Sequence, residues 1–118
     1  MLAMTWRPAD LDALDLEYSL VLAAGDSGDE VELGFVIVEG AVFIRAYSGP
    51  SSTWFQAARA AGRGTVEFGD QTLEITFTDA SAEASVIDAA YFEKYGPAAS
   101  LATSADARAA TLQLDAAR

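Results

Sequence analysis

A tight turn between two apolar runs is the feature that most constrains the fold of this chain. Residues 34–38 (GFVIV) and 41–47 (AVFIRAY) are rich in β-branched and aromatic side chains, and only Glu39 and Gly40 separate them. Two such runs joined by a short turn that contains glycine predict a β-hairpin. Because the first run is almost entirely apolar, we expect it to be buried on both faces.

Further strands and helices are predicted on either side of this hairpin. We expect strands over residues 16–22, 65–68, 72–77 and 111–114, helices over residues 8–14, 52–61 and 82–95, and another short helix within residues 98–109. Residues 23–32 contain two glycines and four acids, which indicates a loop or a hairpin. Hairpins dominate this order. This order of elements therefore predicts a mainly antiparallel β-barrel of about six strands with two or three flanking helices. We expect the barrel to form one domain over residues 1–118.

The composition excludes several classes of chemistry. The chain has no Cys and no His, so disulfides, thiolate catalysis, serine–histidine catalysis and zinc–histidine sites are ruled out. Its formal net charge of −11 argues against nucleic acid and anionic membranes as partners. The N-terminal residues lack the pattern of a signal peptide and no run is long enough to span a membrane, so we expect a cytoplasmic protein.

The middle of this acidic chain is locally cationic. No Asp or Glu falls between Glu39 and Glu67, and three of the seven basic residues lie in that gap: Arg45, Arg59 and Arg63. The same segment has a hydroxyl cluster at the start of a predicted helix, formed by Ser51, Ser52 and Thr53. Arginine side chains and the amides of a helix N-terminus are typical ligands of phosphate and carboxylate groups. The segment is therefore a candidate anion site.

Each of these residues also has a purely structural interpretation. Arg45 could be an outward-facing strand residue that pairs with one of the many acids, and the hydroxyl groups could simply cap the helix. Trp54 and Phe55 could pack the helix on the barrel as core residues, and Arg63, between two glycines, fits a solvated turn. Lys94, the only lysine, lies near a predicted helix end, where lysine usually interacts with the helix dipole.

Several segments resemble a known family. They are residues 42–48 (VFIRAYS), 54–58 (WFQAA), 64–68 (GTVEF), 87–96 (IDAAYFEKYG) and 107–114 (ARAATLQL). Together they look like a small uncharacterised split-barrel family, a domain of unknown function. That family resembles the deazaflavin-dependent nitroreductases and, more distantly, the flavin proteins of the pyridoxamine phosphate oxidase type. The resemblance covers roughly residues 5–115.

The resemblance implies an FMN-binding-type split barrel that forms a homodimer with its cofactor cleft at the subunit interface. In the larger superfamily, basic and hydroxyl residues at the end of the third strand and the start of the next helix hold the flavin phosphate. The matching positions here are Arg45, Ser48, Ser52 and Thr53, with Trp54 in place of an aromatic residue at the helix start. Related cofactor-binding proteins usually carry basic residues between the first two strands, whereas residues 25–32 of this chain are acidic.

Two functions are compatible with the sequence. The first is an oxidoreductase that binds FMN or a deazaflavin, in which the cofactor itself supplies the hydride chemistry. The second is a non-catalytic split-barrel domain without a cofactor, which acts as a binding or structural module. The orientation of Arg45 and Ser48, into a cleft beside the amides at Ser52 or out to solvent, discriminates between them.

Overall fold

The computed structural model describes residues 6–26 and 28–117. Two predictions fall partly outside the described residues. They are the absence of a signal peptide pattern, which concerns residues 1–5, and the loop or hairpin that contains Ser27. The strands are β1 (Ser19–Ala24), β2 (Glu30–Gly34), β3 (Val36–Val38), β4 (Ala41–Arg45), β5 (Arg63–Phe68), β6 (Gln71–Thr78) and β7 (Thr111–Ala116). The helices are α1 (Pro8–Asp15), α2 (Thr53–Ala61), α3 (Ala84–Tyr95) and α4 (Ala105–Ala109), with a 3-10 helix at Gly96–Ala102.

The strands form one antiparallel sheet in the order β2-β1-β5-β6-β7-β4-β3. The sheet curls, because β2 near one edge also contacts β4 near the other. The predicted turn at Glu39 and Gly40 joins β3 to β4, where Val38 pairs with Ala41. The predicted architecture, a mainly β barrel with flanking helices, is thus confirmed.

The structure corrects the predicted second strand, which is divided at Phe35. Residues 23–32 were predicted as a loop or a hairpin, and the hairpin is what the structure shows: β2, over Glu30–Gly34, pairs with β1. The chain then changes partner at Phe35, so that β3 pairs with β4. The backbone N–H of Phe35 donates to the hydroxyl of Tyr95 (2.9 Å), and its carbonyl accepts from Nζ of Lys94 (3.0 Å). These side chains supply the hydrogen bonds that a continuous strand would otherwise make.

The buried side chains fall into two clusters on opposite sides of β4. Leu22, Phe35 and Ile44 belong to the larger cluster inside the curled sheet. Phe43 and Tyr91 belong to a smaller cluster, which α3 and the 3-10 helix cover. A strand that is buried on both faces tolerates a charged side chain only where that charge is paired. The last residue of β4 is Arg45, so its guanidinium requires a partner.

Within the described part of the chain, no helix is long and apolar enough to cross a membrane.

Candidate functional site

One cleft brings the predicted site residues together. It has a volume of about 510 Å³ and lies between the end of β2, the turn after β4 and the start of α2. All the residues selected from the sequence line it: Arg45, Ser48, Ser52, Thr53 and Trp54. These residues thus share one concavity, and their role in binding a cofactor stays a prediction.

A glycine turn folds the segment after β4 back on itself. Gly49 has φ of +91°, and its N–H donates to the carbonyl of Ala46 (2.9 Å). A Cβ atom at Gly49 would lie 3.0 Å from Cβ of Asp106, so a larger residue would meet both strain and crowding. The N–H of Ser52 then donates to the carbonyl of Gly49 (3.1 Å), which places Ser48 and Ser52 at the same cleft.

The hydroxyl groups at the start of α2 do not cap the helix. Ser52 occupies the N-cap position as predicted, but its side chain makes no capping hydrogen bond, so that part of the prediction was wrong. Ser48 and Thr53 are exposed at the cleft. Because the first amides of a helix have no intrahelical acceptor, this end of α2 offers both hydroxyl groups and N–H donors to a ligand.

Trp54 forms the wall between this cleft and an adjoining apolar recess. It is partly buried and meets Phe55 edge-on, with ring centroids 6.1 Å apart. The recess has a volume of about 300 Å³, and Leu22, Val31 and Ala57 are among its lining residues. The predicted core role is confirmed for Phe55, which is 2% exposed, whereas Trp54 keeps a surface toward both cavities.

The guanidinium of Arg45 points into the protein. The side chain is fully buried, and Nη1 donates to Oδ1 of Asp88 at 2.5 Å and to the carbonyl of Ala102 at 2.8 Å. Nε donates to Oγ1 of Thr111 (3.0 Å), and Nη2 lies 3.3 Å from the carbonyl of Ala84. The alternative interpretation of Arg45 is therefore confirmed in its pairing with an acid and wrong in its outward orientation. Its role as a phosphate ligand stays a prediction, and it would require the guanidinium to leave Asp88.

Asp88 is the partner that the sequence analysis missed. It accepts from Arg45 on one side and from the half-exposed Arg108 on the other. Burial alone would raise the pKa of Asp88, but the hydrogen bonds and charges of the two arginines outweigh it and hold that pKa below its usual range. Helical spacing could have suggested Asp88, because it lies one residue after the buried Ile87 and three before the buried Tyr91.

The charges that face the cleft are acidic. Glu32 lines the cleft and accepts from the hydroxyl of Ser19 (2.6 Å), and Asp29 and Glu30 line the recess beyond Trp54. Arg63, predicted in a solvated turn, lies at the start of β5 and makes an exposed ion pair with Asp26 (2.7 Å). The local excess of arginine along the sequence thus does not produce a cationic cleft.

Tyrosines border the other end of the cleft, among them Tyr47, which is not one of the residues predicted to line the site. Gly34 and Tyr47 are shared by the cleft and a smaller recess of about 210 Å³, which Tyr18, Tyr95 and Leu101 also line. A Cβ atom at Gly34 would lie 2.9 Å from the Tyr95 hydroxyl, so the absence of a side chain at Gly34 allows this close approach. Burial raises the pKa of Tyr95 to about 12, so its hydroxyl is protonated at neutral pH.

No group of three or more acidic, histidine or cysteine side chains in the described ranges could hold a metal ion. Hydroxyl groups, helix amides, one indole, several phenols and the carboxylate of Glu32 are the functional groups that surround the cleft and its neighbouring recess. Such a set can bind and orient an organic molecule.

Comparison with solved structures shows the same fold in two bacterial proteins. The heme storage protein HutZ from Vibrio cholerae superposes with a TM-score of 0.64 and 12% identity, over 93% of this chain and 87% of that one. The conserved hypothetical protein Rv2991 from Mycobacterium tuberculosis gives a TM-score of 0.64 and 15% identity, over 100% and 86% of the two chains. At these identities the likeness shows the split-barrel fold alone.

Sequence comparison assigns the family. No curated protein matches the chain. Residues 11–114, which include every candidate site residue, match a family described as uncharacterized proteins conserved in bacteria, DUF2255. The predicted membership of a small uncharacterised family is thus confirmed, and the chain belongs to DUF2255.

Proposed function

We propose that this protein binds a planar aromatic ligand in the cleft beside Trp54. The observation that carries the proposal is the common location of Ser48, Ser52, Thr53 and Trp54 around one cavity of about 510 Å³. Ligand cavities typically combine apolar and aromatic walls with a few polar groups that fix orientation. FMN and the deazaflavins are the ligands that the family resemblance implies.

The aromatic part of a flavin fits this site well. Trp54 is accessible from the cleft and from the apolar recess, so a ring system could stack on the indole and continue past it. Stacked or edge-on aromatic pairs contribute about 0.5–1.5 kcal/mol beyond the burial of area. A bound flavin would supply hydride chemistry, and the role of these residues would be to hold and orient the ring.

The phosphate fits less well. Arg45 is committed to Asp88, and Glu32 stands in the cleft wall. A phosphate would therefore depend on the hydroxyl groups of Ser48 and Ser52 and on the amides of α2. We expect the ring to carry the affinity, so that riboflavin binds at least as tightly as FMN. An Arg45 contact would instead favour FMN by about tenfold or more, because hydrogen bonds to charged groups contribute about 1.5–3 kcal/mol.

The alternative is a non-catalytic barrel domain that binds no cofactor. The acids that line the cleft and the recess, Glu30 and Glu32 among them, favour this alternative because they oppose phosphorylated ligands. Under this alternative the barrel would serve as a binding or structural module for another partner. Ligand titrations separate the two functions directly.

The test is a fluorescence titration of the protein with riboflavin, FMN and deazariboflavin at low salt. The proposal predicts micromolar binding that weakens about tenfold in Trp54→Leu, because stacking and apolar contact are lost. Phe92→Leu is the matched control, since Phe92 is an exposed aromatic on α3 that lines neither the cleft nor the apolar recess. We expect this control to bind like the wild type.

Three outcomes would contradict parts of the proposal. Absence of binding by every flavin would reject the oxidoreductase function and favour the cofactor-free alternative. Equal loss in Trp54→Leu and Phe92→Leu would reject the assignment of the site. Hemin should be included because HutZ is a heme storage protein. Hemin binding tighter than flavin binding would replace the proposed ligand with heme, although this chain has neither the His nor the Cys that commonly ligates heme iron.

We further propose that the protein is a homodimer through the tyrosine end of the cleft. Three of the exposed large apolar side chains, Tyr18, Tyr47 and Leu101, line the small recess next to the cleft. A cluster of exposed apolar groups beside a ligand cleft is typical of an interaction surface. Light scattering should give a dimer mass for the wild type and for Val86→Glu, which alters a separate cleft, and a monomer mass for Leu101→Glu. Monomeric wild-type protein at high concentration would reject the dimer.

A further inference from the structure

The only lysine of the chain lies in a separate cleft on the side of α1 and α3. Lys94 belongs to the last turn of α3 and lines a cavity of about 250 Å³ together with Val36, Ile37 and Ala90. Its Nζ atom is 3.3 Å from the ring centroid of the buried Phe35 and donates to the carbonyl of that residue at 3.0 Å. The amine is thus held by a ring and a backbone carbonyl, beside a cleft that has both apolar and charged lining residues.

Two carboxylates line the same cleft as this amine. Asp15 at the end of α1 and Glu93 on α3 are exposed and line the same cleft, and the Tyr95 ring lies 5.2 Å from Nζ. Among the described residues, no carboxylate makes an ion pair with Lys94. Burial accordingly lowers the pKa of Lys94 to about 8, although the charge of Asp15 opposes the shift.

We propose that Lys94 is a reactive amine that forms an imine with small neutral aldehydes in this cleft. The apolar wall of Val36, Ile37 and Ala90 suits a short aliphatic or aromatic aldehyde. The carboxylates of Asp15 and Glu93 disfavour anionic carbonyl compounds. This site is independent of the ligand cleft beside Trp54, because the two cavities share no lining residue.

The reaction needs no cofactor. The neutral amine nitrogen adds to the carbonyl carbon and forms the C–N bond, and the nitrogen proton is transferred to the carbonyl oxygen. Loss of water from the carbinolamine then gives the C=N bond, so water is the only by-product and no oxidant or reductant takes part. Amines that are desolvated in apolar pockets carry out this chemistry because a larger fraction of them is neutral near pH 7.

The test compares Lys94 with a second lysine in the same molecule. Arg59→Lys places an exposed lysine on α2, where the present Arg59 lies 5.7 Å from the Phe55 ring centroid, so both lysines are helical and next to an aromatic ring. The protein is treated with butanal and cyanoborohydride at about pH 7.5, and peptide mapping by mass spectrometry then measures alkylation at both lysines.

We expect Lys94 to react on the order of 100-fold faster than Lys introduced by Arg59→Lys, because its pKa is about 8 instead of the ordinary 10.5. In denaturant the two rates should become equal, which shows that the advantage comes from the fold. The ratio of the Lys94 rate to the rate of the introduced lysine should be smaller for glyoxylate, an anionic aldehyde, than for butanal. Equal rates at the two lysines in the native protein would overturn the proposal, and preferential reaction with glyoxylate would overturn the neutral substrate class.

Discussion

Replacing Asp88 by Asn tests the interpretation of Arg45 as a buried structural charge. In the native protein the Asp88 carboxylate accepts from Arg45, whose side chain is fully buried, and from Arg108, whose side chain is half-exposed. The substitution keeps the size of the side chain and removes its charge. Arg45 would then be a buried cation without a counter-ion, which is unfavourable because the protein interior solvates charge poorly.

The magnitude follows from the remaining contacts of the guanidinium. Removing one partner of a buried ion pair typically costs about 3–5 kcal/mol of unfolding free energy. Arg45 would keep its hydrogen bonds to Thr111 and Ala102, at 3.0 and 2.8 Å, which moderate the loss. We therefore expect Asp88→Asn to cost about 3 kcal/mol, a large part of the 5–15 kcal/mol that is typical of a small domain.

Urea unfolding followed by tryptophan fluorescence measures this loss, because Trp6 is buried and its indole N–H donates to the Leu114 carbonyl. The midpoint should fall by roughly 1–3 M. Arg108→Ala is the matched control, since it removes the more exposed partner and should cost about 1 kcal/mol or less. If Asp88→Asn costs no more than Arg108→Ala, the structural account of Arg45 is refuted.

Three other substitutions or conditions test parts of the fold. Tyr95→Phe should cost about 1–3 kcal/mol in urea unfolding, because the N–H of Phe35 loses its hydroxyl acceptor; no loss would contradict the account of the break between β2 and β3. Gly64→Ala should cost about 3 kcal/mol or more, because the new Cβ would lie 2.2 Å from the Ala23 carbonyl oxygen and separate β1 from β5. The pKa of Asp88 is depressed in the folded state, so its stabilisation is complete above the ordinary value of 3.8 and is lost as the pH falls below it. Acid unfolding should therefore show a smaller loss in Asp88→Asn than in the wild type, and parallel curves would reject this linkage.

The strands and helices could be predicted largely because their local patterns agree with the fold. The turn at Gly40 and the alternating apolar residues of 72–77 lie in the hairpins that the sequence indicates. β2 was predicted only as one of two alternatives, a loop or a hairpin, because Glu30 and Glu32 are exposed residues of a half-covered strand and resemble loop residues. The break at Phe35 depends on side chains of α3 about 60 residues away, so no local pattern reports it.

The sequence predicts where the candidate site residues lie, but it predicts the interactions of their side chains only in part. Ser48 and Ser52 lie close along the sequence and are joined by a turn around Gly49, so their convergence is a local property. The orientation of Arg45 is instead decided by Asp88, which lies 43 residues further along the chain. A single buried carboxylate thus holds the arginine that the sequence offers as an anion ligand, and charge counts along the sequence do not detect this pairing.

Mapping a bound flavin on the protein tests the central claim most directly. We would record backbone amide and indole NMR signals during a riboflavin titration. The account predicts saturable shifts at Ser48, Ser52, Thr53 and the Trp54 indole, with little change at the indole of the buried Trp6. Absence of saturable shifts, or shifts confined to residues outside this cleft, would contradict the account.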